Sequence, residues 1–173
     1  MPLSAFIVRV PEAEPHVAHL RERFDPSARL GVPAHITLLY PFMSPERITE
    51  ADLEAVRGVA ARVPAFGYRL THIGRFPGCL YLAPDPAEPF VALTTSLCEC
   101  FPTFPPYEGQ HGAVVPHLTV AQAGEAEQHA AETELLSSLP SSGGLAASCS
   151  ELVLIENSSG RWRPMQVFAL AHP

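Results

Sequence analysis

The sequence contains no lysine: all 11 basic residues are arginines, and none of them belongs to a long basic run. With 18 acidic residues, the formal net charge is −7 when histidine is neutral. Proteins that hold long nucleic-acid duplexes neutralise many phosphates with basic side chains. The composition therefore argues against a long-duplex partner. A few arginines can still bind the phosphate of a short nucleotide bidentately.

Cysteine is scarce as well, and no CxxC motif occurs among Cys79, Cys98, Cys100 and Cys149. The CxC pair at 98–100 offers two ligands, which is too few for a structural zinc site. The sequence predicts free, buried thiols of the kind found in cytosolic proteins.

Long apolar runs are missing: none approaches the roughly 18 residues of a membrane span. Residues 1–10 lack the basic start of a signal peptide, and Arg9 interrupts their apolar run. We therefore expect a cytoplasmic protein without a membrane partner. Hydrophobic residues make up 47% of the 173 residues, which is enough for a core. The length predicts a single domain of two lobes over 1–173.

Hydrophobic periodicity predicts alternating strands and helices. Ser44 followed by Pro45 is typical of a helix N-cap. The order of elements indicates an α+β fold rather than a purely helical or purely β fold. Strands are predicted over 5–10, 32–42, 66–76, 79–83, 114–121, 150–156 and 165–171, helices over 12–24, 44–62, 86–101 and 124–139, and a turn over 141–144.

The chain also shows signs of an internal duplication. The stretch GVPAHITL at 31–38 is echoed by GAVVPHLTV at 112–120, and each is followed by a predicted helix. Two related halves predict a pseudo-twofold arrangement. In such an arrangement, the repeated strands confront each other across one cleft.

Each repeated stretch contains a His-x-Thr motif, His35 with Thr37 and His117 with Thr119. Composition alone predicts about 0.4 chance copies of this short motif. In a strand, side chains two positions apart share a face. Each histidine therefore shares a face with its threonine, while Ile36 and Leu118 point towards the core.

A cleft lined by these side chains suits phosphoryl transfer without a metal. Two imidazoles can hold opposite protonation states near neutral pH, so one can accept a proton while the other donates one. Threonine hydroxyls can donate hydrogen bonds to phosphate oxygens as charge develops. No Asp/Glu cluster accompanies either histidine, so we expect neither a metal nor another cofactor.

The motifs HITL at 35–38 and HLTV at 117–120 resemble the paired signature of the 2H phosphoesterase superfamily, which includes the 2′-5′ RNA ligase (cyclic phosphodiesterase) group. The resemblance covers most of the chain, including AFIVRV near the start and RFPGCLYLAP in the central hairpin. It implies a bilobal fold of two antiparallel sheets facing a central cleft, with helices outside. It also implies metal-independent action on 2′,3′-cyclic phosphates or 2′-5′ linkages. In that role, His35 and His117 are the catalytic residues, and Thr37 and Thr119 bind the phosphate.

The central hairpin contains further candidates for substrate binding. Arg75 could hold a phosphate, and Phe76 or Tyr81 could stack on a base. Strict alternation from His35 instead places Tyr40 and Phe42 in the core. The stretch from Arg161 to Arg163, including Trp162, could form a rim for the substrate, but an ordinary solvated turn is favoured. His72 and His111 are predicted to be incidental.

Several hypotheses remain open from the sequence. The main one is an enzyme acting on a nucleotide or an RNA end, as a monomer. An enzyme for a different phosphodiester is one alternative. A nucleotide-binding module that kept the motifs but lost turnover is another. The motifs alone leave open which histidine acts as the acid and which as the base.

Overall fold

The structure is a computed structural model that describes residues 1–109, 113–141 and 143–173. Within these ranges the chain forms eight strands, five α-helices and three short 3₁₀ turns. The strands are β1 (Ser4–Arg9), β2 (His35–Phe42), β3 (Phe66–Phe76), β4 (Cys79–Asp85), β5 (Leu118–Gln122), β6 (Leu145–Cys149), β7 (Glu151–Glu156) and β8 (Arg163–Ala169). The helices are α1 (Glu14–Phe24), α2 (Pro26–Arg29), α3 (Glu50–Ala61), α4 (Glu88–Cys100) and α5 (Glu125–Ser138).

The eight strands form one antiparallel sheet in the order β6-β3-β4-β5-β2-β1-β7-β8. The two halves meet between β2 and β5, where Ile36 lies opposite Leu118. The order outwards from this junction is β2, β1, β7, β8 on one side and β5, β4, β3, β6 on the other. The segments β1-α1-β2-α3 and β4-α4-β5-α5 occupy corresponding places. The predicted α+β class and duplication are confirmed, and the two predicted sheets are the halves of this continuous sheet.

The main core lies between one face of the sheet and helices α1, α3, α4 and α5. Alternate strand residues point into it, as the period of two requires. Its members in the two central strands include Ile36 and Leu38 of β2 and Leu118 and Val120 of β5, all 2% exposed or less. This burial fixes the orientation of both strands, so the residues between these positions point to the opposite face.

The alternation breaks at the same place after each His-x-Thr motif. In β2, Thr37 lies opposite Ile7 of β1, but the next pair is Leu39 with Phe6. The shift turns both Leu38 and Leu39 into the core. Tyr40 therefore returns to the face of the His-x-Thr motif, which corrects the prediction that it is a core residue. Phe42 does lie in the core, with its ring centroid 4.9 Å from that of Phe6.

The same irregularity occurs in the other half. Thr119 lies opposite Tyr81 of β4, while the next pair is Ala121 with Leu80. Val120 and Ala121 are both fully buried in the core. The duplication thus extends to the register of the backbone and is not limited to the sequence of the motifs.

Two details of the predicted elements were wrong. Ser44 makes no capping hydrogen bond and precedes only a 3₁₀ turn over Pro45–Arg47. Helix α3 begins at Glu50 because Thr49 and Asp52 form a capping box, in which the Thr49 backbone N–H donates to the Asp52 carboxylate at 2.8 Å. Three strands close the chain instead of the two predicted, because Leu145–Cys149 forms an additional strand, β6, that pairs with β3. Ser142 of the predicted turn lies outside the described residues.

Candidate active site

The two His-x-Thr motifs lie side by side at the junction of the two halves. Ile36 is opposite Leu118 in an antiparallel pair. Continuing that register by one residue in each direction places His35 opposite Thr119 and Thr37 opposite His117. Opposed residues have Cα atoms about 4.5–5.5 Å apart. The four side chains, all half-buried, therefore form a compact square on the sheet face away from the main core.

Both imidazoles are held by the same kind of backbone hydrogen bond. His35 Nδ1 lies 2.8 Å from the Pro33 carbonyl oxygen, and His117 Nδ1 lies 2.7 Å from the Val115 carbonyl oxygen. A carbonyl oxygen only accepts, so Nδ1–H is the donor in each case. In the neutral ring, Nε2 then carries the lone pair. Both histidines are thus prepared to exchange a proton at Nε2.

Aromatic rings surround His117. Its ring centroid lies 5.1 Å from that of Phe76 and 5.4 Å from that of Tyr81, both edge to face. Phe76 and Tyr81 stack on each other at 4.4 Å with an interplanar angle of 26°. We call Phe76 and Tyr81 the aromatic shelf. Gly74 makes room for the shelf, because a Cβ at this position would collide with the Tyr81 ring.

Charged side chains lie around His35. Arg9 lies opposite His35 in the sheet and pairs with Glu151 at 2.5 Å. On the helix side lies Arg21, paired with Asp25. Burial, followed by the positive charge of Arg21, lowers the pKa of His35 to about 4. His35 is therefore neutral at physiological pH.

A second pair of rings stands on the His35 side and was not predicted as part of the site. The Tyr40 and Trp162 ring centroids are 6.2 Å apart, edge to face. Both rings pack on a small apolar cluster formed by Ala5, Ile7, Val32, Val153 and Ile155. The Trp162 backbone N–H donates to the Leu30 carbonyl at 2.8 Å, which ties this ring to the segment leading to His35. We call Tyr40 and Trp162 the second wall, the aromatic shelf being the first.

The side chain of Arg75 does not reach the square of histidines and threonines. It alternates with Gly74 and Phe76 along β3, and its side chain lies on the helix side of the sheet. There Nη1 donates to Gln128 Oε1 at 2.9 Å, and Nη2 forms an ion pair with Glu132 of α5. The structure thus separates Arg75 from Phe76 and Tyr81, with which the sequence had grouped it.

The remaining candidates have structural partners or lie elsewhere. Arg161 Nη1 donates to the Arg29 carbonyl at 3.0 Å, and Arg163 forms an ion pair with Glu156. These bonds hold the turn that carries Trp162 against the protein. The turn is therefore not the ordinary solvated turn that the sequence favoured. His72 is exposed, and His111 lies outside the described residues.

The part of the chain that the structure describes contains neither a metal-binding cluster nor a membrane-spanning helix. In it, no group of three or more His, Cys, Asp or Glu side chains is arranged to hold a metal ion. None of the described helices is long and apolar enough to cross a membrane.

Sequence comparison places the chain in a family. A model of the 2′-5′ RNA ligase superfamily matches residues 10–161. A Bacillus cytotoxicus protein that bears the name phosphoesterase is 32% identical over 114 residues, which are 64% of this chain and 63% of that protein. A Bacillus cereus protein with the same name is 29% identical over an equal share. The match thus spans less than two thirds of the length of these relatives.

Solved structures agree on the fold. Escherichia coli LigT in complex with 3′-AMP superposes with a TM-score of 0.63 at 19% identity, covering 98% of this chain and 99% of LigT. A Thermus thermophilus protein gives 0.63 at 21% identity, with 98% of each chain covered. At such identities the likeness concerns the fold. The family model covers most of the chain, and on that ground this protein belongs to the 2′-5′ RNA ligase superfamily, within the 2H phosphoesterases.

Proposed function

We propose that this protein is a metal-independent phosphodiesterase that acts on a 2′,3′-cyclic phosphate or a 2′-5′ linkage of a nucleotide or RNA end. The observation that carries the proposal is the square of His35, Thr37, His117 and Thr119. Each histidine lies opposite the threonine of the other motif. A phosphate above the square is therefore within reach of two imidazoles and two hydroxyls.

The proposed hydrolysis needs only these four side chains and water. His35 Nε2 takes a proton from water, and the water oxygen forms a bond to phosphorus. The bond from phosphorus to the ribose 3′ oxygen breaks, and His117 Nε2 gives that oxygen a proton. The product is a 2′-phosphate. Thr37 and Thr119 donate hydrogen bonds to the non-bridging oxygens as their charge increases.

We expect the aromatic shelf and the second wall to bind and position the substrate. A base stacked on Phe76 would lie beside His117, which donates the proton to the leaving oxygen. The second wall, Tyr40 and Trp162, lies on the His35 side, where a longer substrate would continue. Stacking on aromatic side chains tolerates different bases. Arg75 is not part of this proposal, because its side chain lies on the helix side.

The test is turnover of 2′,3′-cyclic AMP and of a 2′-5′-linked adenosine dinucleotide by the purified protein, with and without excess EDTA. We expect turnover of at least one substrate, unchanged by the chelator, because imidazoles and hydroxyls supply both proton transfer and charge stabilisation. Loss of turnover with EDTA and its return with one divalent ion would contradict the metal-independent mechanism. Tight binding of the nucleotide without any turnover would instead favour a binding module.

A further inference from the structure

A buried ion pair lies beneath the half of the sheet that carries His35. Arg21 of α1 is 2% exposed and Asp25 is 1% exposed, and Arg21 Nη2 lies 3.0 Å from Asp25 Oδ2. Replacing a buried ion pair with apolar residues of similar size is often neutral or stabilising. Fold stability alone therefore does not explain why an arginine occupies this buried position.

The hydrogen bonds of Arg21 connect α1 to the segment that leads into β2. Nη1 donates to the Val32 carbonyl at 3.0 Å, and Nη2 donates to Ser27 Oγ at 3.2 Å. Asp25 Oδ1 accepts from the Ser27 backbone N–H at 3.0 Å and from its hydroxyl at 2.9 Å. This network thus ties Ser27 and Val32 to the end of α1.

This network ends next to the backbone group that holds the catalytic ring. Val32, whose carbonyl accepts from Arg21, directly precedes Pro33. The Pro33 carbonyl in turn accepts the Nδ1–H of His35 at 2.8 Å. A displacement of Val32 would move the Pro33 carbonyl and rotate the ring. Misplacement by about 1 Å can cost a reaction about 100-fold in rate.

We propose that Arg21 is a positioning residue for His35. It fixes the backbone that orients the ring, and its permanent charge adds to burial in favouring the neutral ring that accepts the first proton. The structural part of this inference concerns the His35 ring itself. Only the role of that ring as proton acceptor rests on the proposed function.

The charges that face His35 come from several elements. Arg21 and Glu14 belong to α1, and Glu14 Oε1 accepts from the Ala34 backbone N–H at 2.7 Å. Asp25 follows α1, and the other groups are Arg9 of β1 with its partner Glu151, and His117 beside β5. After burial, Arg21 has the largest effect in lowering the pKa of His35, and it outweighs the opposing effect of Asp25.

The experiment is an NMR titration of the His35 ring in the substrate-free protein, with the signal assigned by its loss in His35→Ala. Arg21→Met combined with Asp25→Asn removes both charges without leaving one unpaired. We expect the pKa of His35 to rise by roughly 0.5–1 unit, since Arg21 is the stronger influence. Arg23→Met is the matched control, because Arg23 is also on α1 but pairs with Glu134 at an exposed site. It should leave the titration unchanged.

Arg21→Lys separates the effect of the Arg21 charge from the effect of its hydrogen bonds. It also provides a second test if the double variant does not fold. Lysine keeps the positive charge but cannot reproduce the planar fork that reaches Asp25, Val32 and Ser27 together. We expect His35 to titrate within about 0.3 unit of wild type. We also expect kcat to fall roughly 10-fold with little change in KM.

The outcomes distinguish this inference from the proposed function. An unchanged His35 titration in a folded double variant would overturn the influence of the Arg21 charge. Wild-type kcat in Arg21→Lys would overturn the positioning role. If the wild-type protein turned over neither substrate, the proposed function would fail, while the titration would still test the effect of Arg21 on the ring.

Discussion

The two halves of the sheet have the same backbone around their histidines and different surroundings. Both motifs use the same Nδ1 hydrogen bond to the carbonyl two residues before, and the same register shift after the threonine. The His35 half places buried charges behind its ring, whereas the His117 half places Phe76 and Tyr81 against its ring. A duplication has thus produced two matched histidines in different surroundings, and the proposed mechanism assigns them different roles.

The largest expected effect tests whether both halves take part in one reaction. Replacing either His35 or His117 with alanine should lower kcat by about 10²–10⁴-fold, the usual range for loss of a general acid or base. The double variant should be little worse than the poorer single variant, because both residues act in one transfer. Steady-state kinetics on 2′,3′-cyclic AMP measures this. Fully multiplicative losses would mean that the halves act independently.

A smaller effect should follow from the threonines. Thr37→Val and Thr119→Val keep the shape of the side chain and remove the hydroxyl. Each should lower kcat by roughly 10–10³-fold with a smaller change in KM, because the hydrogen bond strengthens as charge develops. Similar losses at both positions would support the symmetry of the square. A loss at one position alone would show that phosphate is bound by one half.

The aromatic shelf provides the next comparison. Phe76→Ala should raise KM for 2′,3′-cyclic AMP by roughly 5- to 150-fold, corresponding to the loss of about 1–3 kcal/mol of stacking. Trp162→Leu in the second wall should raise KM more for the 2′-5′-linked dinucleotide than for the cyclic nucleotide. Equal increases for both substrates in both variants would show that the two walls do not bind different parts of a substrate.

Arg75→Ala should have the smallest effect. Its side chain pairs with Gln128 and Glu132 on the helix side of the sheet. We expect kcat/KM to change less than about twofold, as for an exposed substitution away from the reacting groups. A large increase in KM would show that Arg75 reaches the substrate and would restore the role that the sequence suggested.

The sequence predicts the two central strands but places their starts too early, at 32 and 114 instead of His35 and Leu118. The His-x-Thr motifs, the apolar residues beside them and the period of two predict both pairs on one face. The Arg75 position could also have been settled in this way, since Arg75 and Phe76 are adjacent in a strand and face opposite sides. The face of Tyr40 could not be predicted in this way. It depends on the register shift at Leu38 and Leu39, and a strictly alternating pattern includes no such shift.

Other features were missed for local physical reasons. Strand β6 has the sequence LAASC, whose small residues have little strand preference, so it is defined by its pairing with β3. The start of α3 was misplaced because Ser44-Pro45 resembles a cap, while the T-x-x-D box at Thr49 is the one that forms. The charges behind His35 are brought there by tertiary packing of α1, which local patterns do not specify.

The pH dependence of kcat/KM tests most directly the claim that His35 and His117 form one acid–base pair. In the proposed mechanism the base is neutral His35, so activity should fall as the pH drops through about 4, the pKa to which burial and Arg21 lower this ring. It should also fall at high pH as His117 loses the proton that it donates. The proposed mechanism predicts a bell-shaped profile in the wild type, with the acid limb missing in His35→Ala. A flat wild-type profile between about pH 3.5 and 9, or full activity in either single His→Ala variant, would contradict it.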